Sequence, residues 1–366
     1  MLNLSSYIIP FIAALAVSLL LTWLIRKFSL KNKILDYPDQ NQKRKIHNQP
    51  VPLLGGLAIY LSFLIVSLIF ALASNRLFGG YFLPKHLAGI LLGGFLLMIG
   101  GFWDDKKNLK PTKQIIWPIL AALVVIGAGI GISYLNNPFG GTIYLDQIKI
   151  QLFSLGNTPY FLILWADLFA FIWLMGMMYT TKFLDGLDGL VGGITTIGAV
   201  VIFLLSLNQD VAQPETALLA AILAGSVLGF LVFNWHPAKI FLGEGGSLFC
   251  GFMLGSLAIL SGAKIATALL IMGIPVLDVI WVIIRRLFME KKSPFFGDKK
   301  HLHFRLLDAG LSQRGAVLLL YLLTIMFGIS ALILNGRGKF LSLLIMAAVM
   351  AILAVVLVLA YRRKKI

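Results

Sequence analysis

The sequence predicts an all-α polytopic membrane protein, and three observations support this fold class. Hydrophobic residues make up 59% of the 366-residue chain and charged residues only 13%, against roughly 45–50% and 25% in soluble domains. The apolar residues gather into stretches of about 20, the length of helix that crosses a bilayer. The 31 Lys and Arg residues, which outnumber the 15 Asp and Glu, fall mainly in every second connecting segment.

Eleven apolar stretches are predicted to span the membrane, because about 20 helical residues match a hydrocarbon core of about 30 Å. They cover residues 7–25, 54–73, 87–103, 115–135, 161–180, 191–207, 217–233, 246–262, 265–284, 315–334 and 340–361. No Lys or Arg precedes the first stretch, so we expect an uncleaved span rather than a signal peptide. The spans leave no room for a soluble domain, and we predict one domain over residues 1–366.

Positive charge predicts how the spans are oriented. Segments after odd-numbered spans carry 25 Lys and Arg, and segments after even-numbered spans carry 6. Because Lys and Arg are enriched in cytoplasmic loops, we expect the odd-numbered loops and the C-terminus inside the cell and the N-terminus outside. This placement accounts for the net charge of +16, so a nucleic acid is not expected as a partner.

One predicted outside segment, residues 136–160, differs from the others. Residues 142–153 partly alternate between apolar and polar and are followed by Gly156-Asn157, a pattern typical of paired strands. We predict a small extracytoplasmic β-hairpin that packs on the outer face of the bundle.

Five carboxylates fall at the predicted inner ends of spans, on three separate loops. They are Asp104, Asp105, Asp185, Asp188 and Glu244. Carboxylates at a membrane edge are costly and usually face a bundle interior or a water-filled cavity, which predicts a shared cytoplasmic cleft. Each acid also has a plainer interpretation, as a solvated helix end, a turn cap or a charge that stabilises a helix N-terminus.

The chemistry that these loops suit is phosphate and metal binding. Two adjacent carboxylates, Asp104-Asp105, can hold a hard cation such as Mg²⁺ or orient a phosphate nucleophile. Glycines beside Asp185 and Asp188 let the backbone approach a ligand closely. Glu244 lies among glycines at a predicted helix start, where backbone N–H groups receive phosphate. Asn234, ten residues earlier, could read a nucleobase edge or cap a helix.

The segment 285–314 carries eight Lys or Arg and the pair His301-Leu-His303. The cytoplasmic location explains most of the positive charge, whereas the His pair could donate to phosphate oxygens or transfer a proton. Zinc is not expected, because Cys250 is the only cysteine and no closed ligand set with the usual spacing is present. Asp167 and Asp278 lie within spans, where an interhelical hydrogen bond and a functional role are both open.

Taken in order, the loops resemble the polyprenyl-phosphate N-acetylhexosamine-1-phosphate transferase family, glycosyltransferase family 4, over nearly the whole chain. The resemblance rests on His47-Asn-Gln-Pro50-Val-Pro52, Asp104-Asp105 with Lys113, Asp185-Gly-Leu-Asp188-Gly, Asn234 ten residues before Glu244, and His301-Leu-His303. Eleven spans and the His motifs are more similar to the bacterial undecaprenyl-phosphate N-acetylglucosamine-1-phosphate transferases than to the phospho-N-acetylmuramoyl-pentapeptide transferases.

The resemblance implies a phosphoglycosyltransferase of the inner (plasma) membrane with a cytoplasmic active site. It would transfer a sugar 1-phosphate, with N-acetylglucosamine the leading sugar, from a UDP-sugar to undecaprenyl phosphate, with Mg²⁺ or Mn²⁺, and release UMP. This reaction would be the first membrane step of an envelope polysaccharide such as lipopolysaccharide or teichoic acid. Muramoyl-pentapeptide transfer, a secondary transporter and a homodimer are left open.

The resemblance also implies roles for residues in the loops 26–53, 104–114, 181–190, 234–245 and 285–314. Catalytic roles fall to Asp104, Asp105, Asp185, His301 and His303. Substrate binding falls to Lys113, Asp188, Asn234 and Arg305, and metal binding falls to Glu244 and Asp185. Lys182 joins the substrate-binding residues because its positive charge could pair with a phosphate. Either the carrier phosphate attacks directly or an Asp first forms a phospho-enzyme.

Three positions depart from the family pattern. Glu244 replaces an Asp, and its longer side chain would move a bound ion. Lys182 and Tyr179 replace two Asn residues before Asp185, which suggests an altered donor pocket. Phe304 replaces a third His, so three histidines cannot act together.

Overall fold

The computed structural model describes residues 5–38, 47, 49–74, 77–80, 82–155, 158–209, 211–262, 265–291 and 300–363. The helices are α1 (Ser5–Lys31), α2 (Gly55–Ala73), α3 (Pro84–Lys107), α4 (Pro111–Gln114), α5 (Ile116–Gly127), α6 (Leu164–Leu184), α7 (Leu190–Leu207), α8 (Pro214–Asn234), α9 (Gly243–Leu260), α10 (Ile265–Ile284), α11 (Leu302–Ala309), α12 (Gln313–Ile333) and α13 (Gly336–Arg363). A π-helical turn, Arg285–Met289, continues α10.

Ten helices of the described part of the chain are long and apolar enough to cross a membrane. They are α1, α2, α3, α6, α7, α8, α9, α10, α12 and α13. The prediction of a mostly helical protein that crosses the membrane many times is therefore confirmed. The orientation of the spans stays a prediction.

The predicted span 115–135 differs from the other ten. It forms a shorter apolar helix, Pro111–Gly127, which at 1.5 Å per residue is about 25 Å long, less than the apolar core of a bilayer. The helix ends at a glycine-rich segment in which Gly129 has a φ of +94°, a conformation that helices do not contain. The count of eleven spans thus stays a prediction.

The segment that precedes α6 contains two antiparallel strand pairs. Strands β3 (Tyr134–Asn136) and β4 (Thr142–Tyr144) form one pair, and β5 (Lys149–Leu155) and β6 (Thr158–Ile163) form the other. The predicted hairpin falls in this segment, and its extracytoplasmic location stays a prediction. Asp167 accepts a 2.8 Å hydrogen bond from the Ile163 N–H, so it caps the start of α6 rather than linking two helices.

Helix α9 lies at the centre of the bundle, where its most apolar stretch is almost entirely buried. Glycines allow its backbone to approach α2 and α3 closely. A Cβ atom added to Gly56 would lie 2.0 Å from the Gly246 Cα, and one added to Gly101 would lie 2.2 Å from the Gly245 N. Small residues of this kind bring membrane helices into contact. The first turn of α9, which contains Glu244, is therefore held against α2 and α3.

Candidate active site

Several helix ends and connections meet at one end of the bundle, which we call the carboxylate end. Helices α3, α6 and α8 end there, and α7 and α9 begin there. A two-stranded sheet, β1 (Leu35–Asp36) with β2 (Val51–Pro52), borders it. Phe241 donates from its N–H to the Pro52 carbonyl at 2.8 Å, and the Gly55 N–H donates to the Phe241 carbonyl at 2.9 Å. These bonds join the connection after α1 to the connection before α9.

Asp105 holds the first turn of α9 in place. Its Oδ1 accepts a 3.0 Å hydrogen bond from the Glu244 N–H, between residues 139 positions apart. Gly243 has a φ of +76°, and a Cβ atom there would lie 2.3 Å from the Asp105 Oδ2. The Asp105 carboxylate therefore caps α9 from a neighbouring helix, and it occupies part of the helix start that we expected to receive phosphate.

A chain of four polar side chains links α3, α4, α6 and α9. Gln114 donates from Nε2 to the Asp104 Oδ1 at 2.8 Å, and its Oε1 accepts from the Lys182 Nζ at 3.0 Å. The Lys182 ammonium also forms an ion pair with the Glu244 carboxylate. The Leu109 N–H donates to the same Asp104 oxygen at 2.8 Å. Two residues that depart from the family pattern, Lys182 and Glu244, are thus direct partners.

Asp185 is the residue directly after α6. Its side chain is open to solvent, but surrounding protein atoms and the negative charges of Glu244 and Asp188 raise the pKa of the Asp185 carboxyl to about 7. Desolvation is the largest cause, and repulsion between carboxylates adds to it. The neighbourhood of Asp185 therefore carries negative charge that a bound cation would balance.

Asp188 joins the connection after α6 to the connection after α8. Its Oδ2 accepts from the His236 Nδ1 at 2.7 Å and from the Ala238 N–H at 3.1 Å. The Arg314 guanidinium donates to the His236 carbonyl through Nη2 at 2.8 Å. The Asp188 carboxylate thus already has two protein donors, so a contact with substrate would involve its remaining lone pairs.

Asn234 is a buried brace between two connections. Its Oδ1 accepts from the Gly189 N–H at 2.9 Å, and its Nδ2 donates to the Ile240 carbonyl at 2.9 Å. Both polar atoms of the side chain are occupied by backbone partners. The geometry therefore favours the helix-end interpretation of Asn234 over direct reading of a nucleobase.

His301 is oriented by Asp278, near the end of α10. The His301 Nδ1 lies 2.8 Å from the Asp278 Oδ2, and the Leu302 N–H donates to the Asp278 Oδ1 at 2.9 Å. Because a carboxylate can only accept, Nδ1 carries a proton and Nε2 is left for a ligand. Asp278 therefore forms a hydrogen bond between helices, which was one of the two interpretations open for it. It also orients His301, a predicted catalytic residue.

His303 packs beneath the Asp185-Gly186 connection. A Cβ atom on Gly186 would lie 2.4 Å from the His303 Nε2 and 2.9 Å from the Phe304 ring. The His303 ring is buried, and neither ring nitrogen has a hydrogen-bond partner in the described part of the chain. Burial, together with the charge of His301, lowers the pKa of His303 to about 3. His303 is therefore neutral at pH 7.

The remaining predicted residues lie around this cluster. Lys113 is exposed on α4 beside Gln114, and Arg305 donates from Nε to the Lys300 carbonyl at 3.0 Å. The Tyr179 ring lies 5.5 Å from the Lys182 Nζ, and the His47 ring contacts Phe241 edge-on. Residues 39–46, 48 and 292–299 of the predicted loops lie outside the described residues.

Sequence reasoning missed two polar residues of the site. Gln114 bridges Asp104 and Lys182, and His236 is the partner of Asp188. Neither residue belongs to a predicted motif. The only sign in the sequence that they lie at this end of the protein is that Gln114 follows Lys113 and His236 is two residues after Asn234. Their roles depend on contacts between distant segments.

Two carboxylates at this end suit a divalent cation. Among the residues that the structure describes, no group of three or more His, Cys, Asp or Glu side chains is placed to hold a metal ion. Mg²⁺, however, is commonly bound by one or two carboxylates together with water and substrate phosphates. Glu244 and Asp185 supply hard oxygen ligands, and a bound cation would offset the repulsion between them.

Comparisons with known proteins identify the family of the chain. The profile of glycosyl transferase family 4 matches residues 87–262. The chain is 32% identical to the decaprenyl-phosphate N-acetylglucosaminephosphotransferase of Mycolicibacterium smegmatis over an alignment of 378 residues, which covers 96% of this chain and 88% of that protein. The chain belongs to glycosyl transferase family 4. The resemblance read from the loops is therefore confirmed, as is the prediction that the protein is a membrane-bound transferase.

Two further relatives match over most of their length. The probable undecaprenyl-phosphate N-acetylglucosaminyl 1-phosphate transferase of Bacillus subtilis is 30% identical over 344 residues, 92% of this chain and 87% of that protein. The phospho-N-acetylmuramoyl-pentapeptide-transferase of Bacillus thuringiensis is 28% identical over 308 residues, 81% of this chain and 87% of that protein. The family profile runs from α3 to just beyond α9 and so contains all five clustered carboxylates.

Proposed function

We propose that the protein transfers N-acetylglucosamine 1-phosphate from UDP-N-acetylglucosamine to undecaprenyl phosphate, with Mg²⁺, and releases UMP. Mn²⁺ would support the reaction in place of Mg²⁺. The product, undecaprenyl diphosphate carrying the sugar, would begin an envelope polysaccharide such as lipopolysaccharide or teichoic acid. The observation that carries the proposal is the meeting of Asp104, Lys182, Asp185 and Glu244 at one end of a membrane-spanning bundle.

This arrangement suits a reaction between a lipid phosphate and a nucleotide diphosphate. The acceptor tail partitions into the bilayer, so its phosphate lies near the membrane surface, where the helix ends present their polar groups. The surplus of Lys and Arg in segments that follow odd-numbered spans favours the cytoplasmic side for this end. We therefore place the active site on the cytoplasmic face of the inner membrane.

A divalent cation would be held by Glu244 and Asp185 together with phosphate oxygens of the donor. When bound, Mg²⁺ offsets the charge of the diphosphate and stabilises the charge that develops during in-line displacement. The chain's own residues position the reactants. Lys182 and Lys113 neutralise phosphate charge, and the Nε2 of His301, when it carries a proton, would donate to a phosphate oxygen.

Asp104 orients the acceptor phosphate rather than acting as a strong base. A phosphate monoester has a second pKa near 6, so the acceptor is already mostly ionised at pH 7. The hydrogen bonds from Leu109 and Gln114 hold the Asp104 carboxylate in one orientation. The carrier phosphate would attack the phosphorus that bears the sugar, and UMP would leave.

The reaction is tested with full-length protein in detergent, undecaprenyl phosphate, Mg²⁺ and a panel of UDP-sugars. We expect UMP release and a lipid-linked sugar with UDP-N-acetylglucosamine, and no UMP without Mg²⁺ or Mn²⁺. UDP-N-acetylgalactosamine and UDP-N-acetylmuramoyl-pentapeptide serve as competing donors. UMP release with the pentapeptide donor alone would assign the protein to the muramoyl branch, and no UMP with any donor would refute the proposal.

The site assignment is tested with two substitutions that preserve side-chain shape. Asp104→Asn and Glu244→Gln should abolish UMP release while the purified proteins keep the wild-type elution volume in size-exclusion chromatography. Full activity of both variants would contradict the placement of the site. A radiolabelled phospho-enzyme formed without lipid acceptor would instead support a two-step reaction.

A further inference from the structure

Lys182 and Glu244 face each other at the position where the cation is proposed to bind. The Lys182 ammonium contacts the Glu244 Oε1, and both side chains retain only 16% of their exposure. The pair is thus shielded from bulk water. In such a shielded position the attraction between opposite charges is stronger than at an open surface. One of the two carboxylate oxygens of Glu244, the proposed cation ligand, is already in contact with a positive group.

A second contact keeps the ammonium nearby when it leaves Glu244. The Lys182 Nζ donates to the Gln114 Oε1 at 3.0 Å, and the Tyr179 ring lies 5.5 Å away. Gln114 is in turn fixed by the Asp104 carboxylate and by the Leu109 carbonyl, at 2.8 and 2.9 Å. The lysine therefore has a fixed neutral partner besides the carboxylate.

We propose that Lys182 is a built-in competitor of the divalent cation for Glu244. Its ammonium neutralises the carboxylate while the cation is absent and is displaced toward Gln114, and so toward Asp104 and the acceptor phosphate, when the cation binds. The inference rests on the metal site of the proposed function. It assigns Lys182 a positioning role that couples metal binding to the placement of a positive charge on the substrate.

Electrostatics gives the direction of the effect. A divalent cation and an ammonium on one carboxylate repel each other strongly at separations of a few ångströms, so the cation must first displace Lys182. Removing the ammonium while keeping Glu244 should therefore strengthen metal binding. A lysine that only supports the fold would leave metal affinity unchanged or weaken it.

The test measures Mn²⁺ binding to the full-length protein in detergent by electron paramagnetic resonance, in which the signal of free Mn²⁺ is lost on binding. We expect Lys182→Gln to bind Mn²⁺ at least about tenfold more tightly than the wild type. Lys106→Gln is the matched control, because Lys106 is exposed at the end of α3, and its affinity should equal that of the wild type. Glu244→Gln should lose the site.

Equal or weaker Mn²⁺ binding by Lys182→Gln would overturn the inference. Absence of Mn²⁺ binding in every form would overturn it together with the proposed metal site. The UMP assay with the wild-type protein reports on the transferase reaction separately. A wild-type protein that releases UMP while Lys182→Gln shows no gain in affinity would refute only the role of Lys182.

A second measurement needs no variant and applies even if Lys182→Gln does not fold. The wild-type protein is acetylated briefly with an amine-reactive reagent, with and without Mg²⁺, and each lysine is quantified by mass spectrometry. Because an amine released from an ion pair reacts more readily, Mg²⁺ should increase the acetylation of Lys182. We expect the ratio of Lys182 to Lys106 acetylation to be at least about twofold higher with Mg²⁺ than without it. Acetylation of Lys182 that Mg²⁺ leaves unchanged or lowers would contradict the proposal.

Discussion

The Gln114 side chain donates a 2.8 Å hydrogen bond to the Asp104 carboxylate. The same amide accepts from the Lys182 ammonium through its oxygen. Among neutral side chains an amide suits this position, because it presents a donor to a carboxylate and an acceptor to an ammonium. Gln114 therefore fixes the relative positions of charged groups from α3 and α6.

Replacing Gln114 with Leu should lower kcat/KM for UMP release by about tenfold to a hundredfold, since hydrogen bonds to charged groups contribute roughly 1.5–3 kcal/mol. Gln114→Glu should lose more activity, because it places a second carboxylate against Asp104. Gln151→Leu, in strand β5, is the matched control and should keep wild-type activity. Wild-type kinetics for Gln114→Leu would show that the bridge does not position the reacting groups.

The contact between Lys182 and Glu244 predicts that substitutions at the two positions do not act independently. Glu244→Asp shortens the carboxylate arm and leaves Lys182 without its partner, whereas Lys182→Asn removes the unpaired charge. A double-mutant cycle on kcat/KM should therefore give a coupling energy of about 1–3 kcal/mol, with the double variant more active than the product of the two single effects predicts.

Lys106→Asn combined with Glu244→Asp provides the comparison cycle. Lys106 is exposed at the end of α3, so the effects of these two substitutions should multiply to within about 0.5 kcal/mol. Multiplicative effects in both cycles would mean that the ion pair has no consequence for the reaction.

The amino-acid pattern was sufficient to predict a mostly helical protein with many apolar helices of membrane-spanning length. Ten of the apolar stretches form long helices, because the length and apolar composition of a membrane-spanning helix are local features of the sequence. The predicted span 115–135 is the exception, because a shorter helix, Pro111–Gly127, forms there. The apolar stretch continues past Gly129, but the backbone is no longer helical at that residue. Hydropathy records apolar character but not the φ angle at which a helix stops.

The pairing of side chains inside the site could not be read from the sequence. Asp105 caps α9 across 139 residues of chain, and Asn234 bridges Gly189 and Ile240. Each acid or amide has the same local neighbours whether it binds a ligand or a distant backbone group. The close packing of α3 on α9, which glycines permit, brings Asp105 to its partner. The meeting of the connections after α6 and α8 does the same for Asn234.

The brace made by Asn234 predicts a loss of stability when its amide is removed. Asn234→Leu leaves the Gly189 N–H and the Ile240 carbonyl buried without partners, which should lower the free energy of unfolding by about 2–4 kcal/mol. Thermal unfolding in detergent measures the change.

Asn32→Leu is the control for Asn234→Leu, because the Asn32 amide makes one exposed hydrogen bond to the Phe28 carbonyl. Its effect on the free energy of unfolding should stay within about 0.5 kcal/mol. A raised KM for the UDP-sugar with unchanged stability in Asn234→Leu would instead support direct contact between Asn234 and the substrate.

The buried ring of His303 predicts a pH dependence of stability. In the folded protein the pKa of His303 is lowered from 6.5 to about 3, so the unfolded chain takes up a proton at a higher pH than the folded chain does. The resulting stabilisation is complete above about pH 6.5 and is lost as the pH falls toward 3. At pH 5 the loss should be about 2 kcal/mol, from 1.36 kcal/mol per pH unit.

His303→Gln removes this titration, so the pH dependence must be obtained as a difference between two proteins. The free energy of unfolding of the wild type, minus that of His303→Gln, should be about 2 kcal/mol smaller at pH 5 than at pH 7.5. Any constant cost of the substitution cancels in this comparison, as do the contributions of carboxylates present in both proteins. A difference that is the same at the two pH values would mean that His303 takes up its proton equally well in the folded and the unfolded chain.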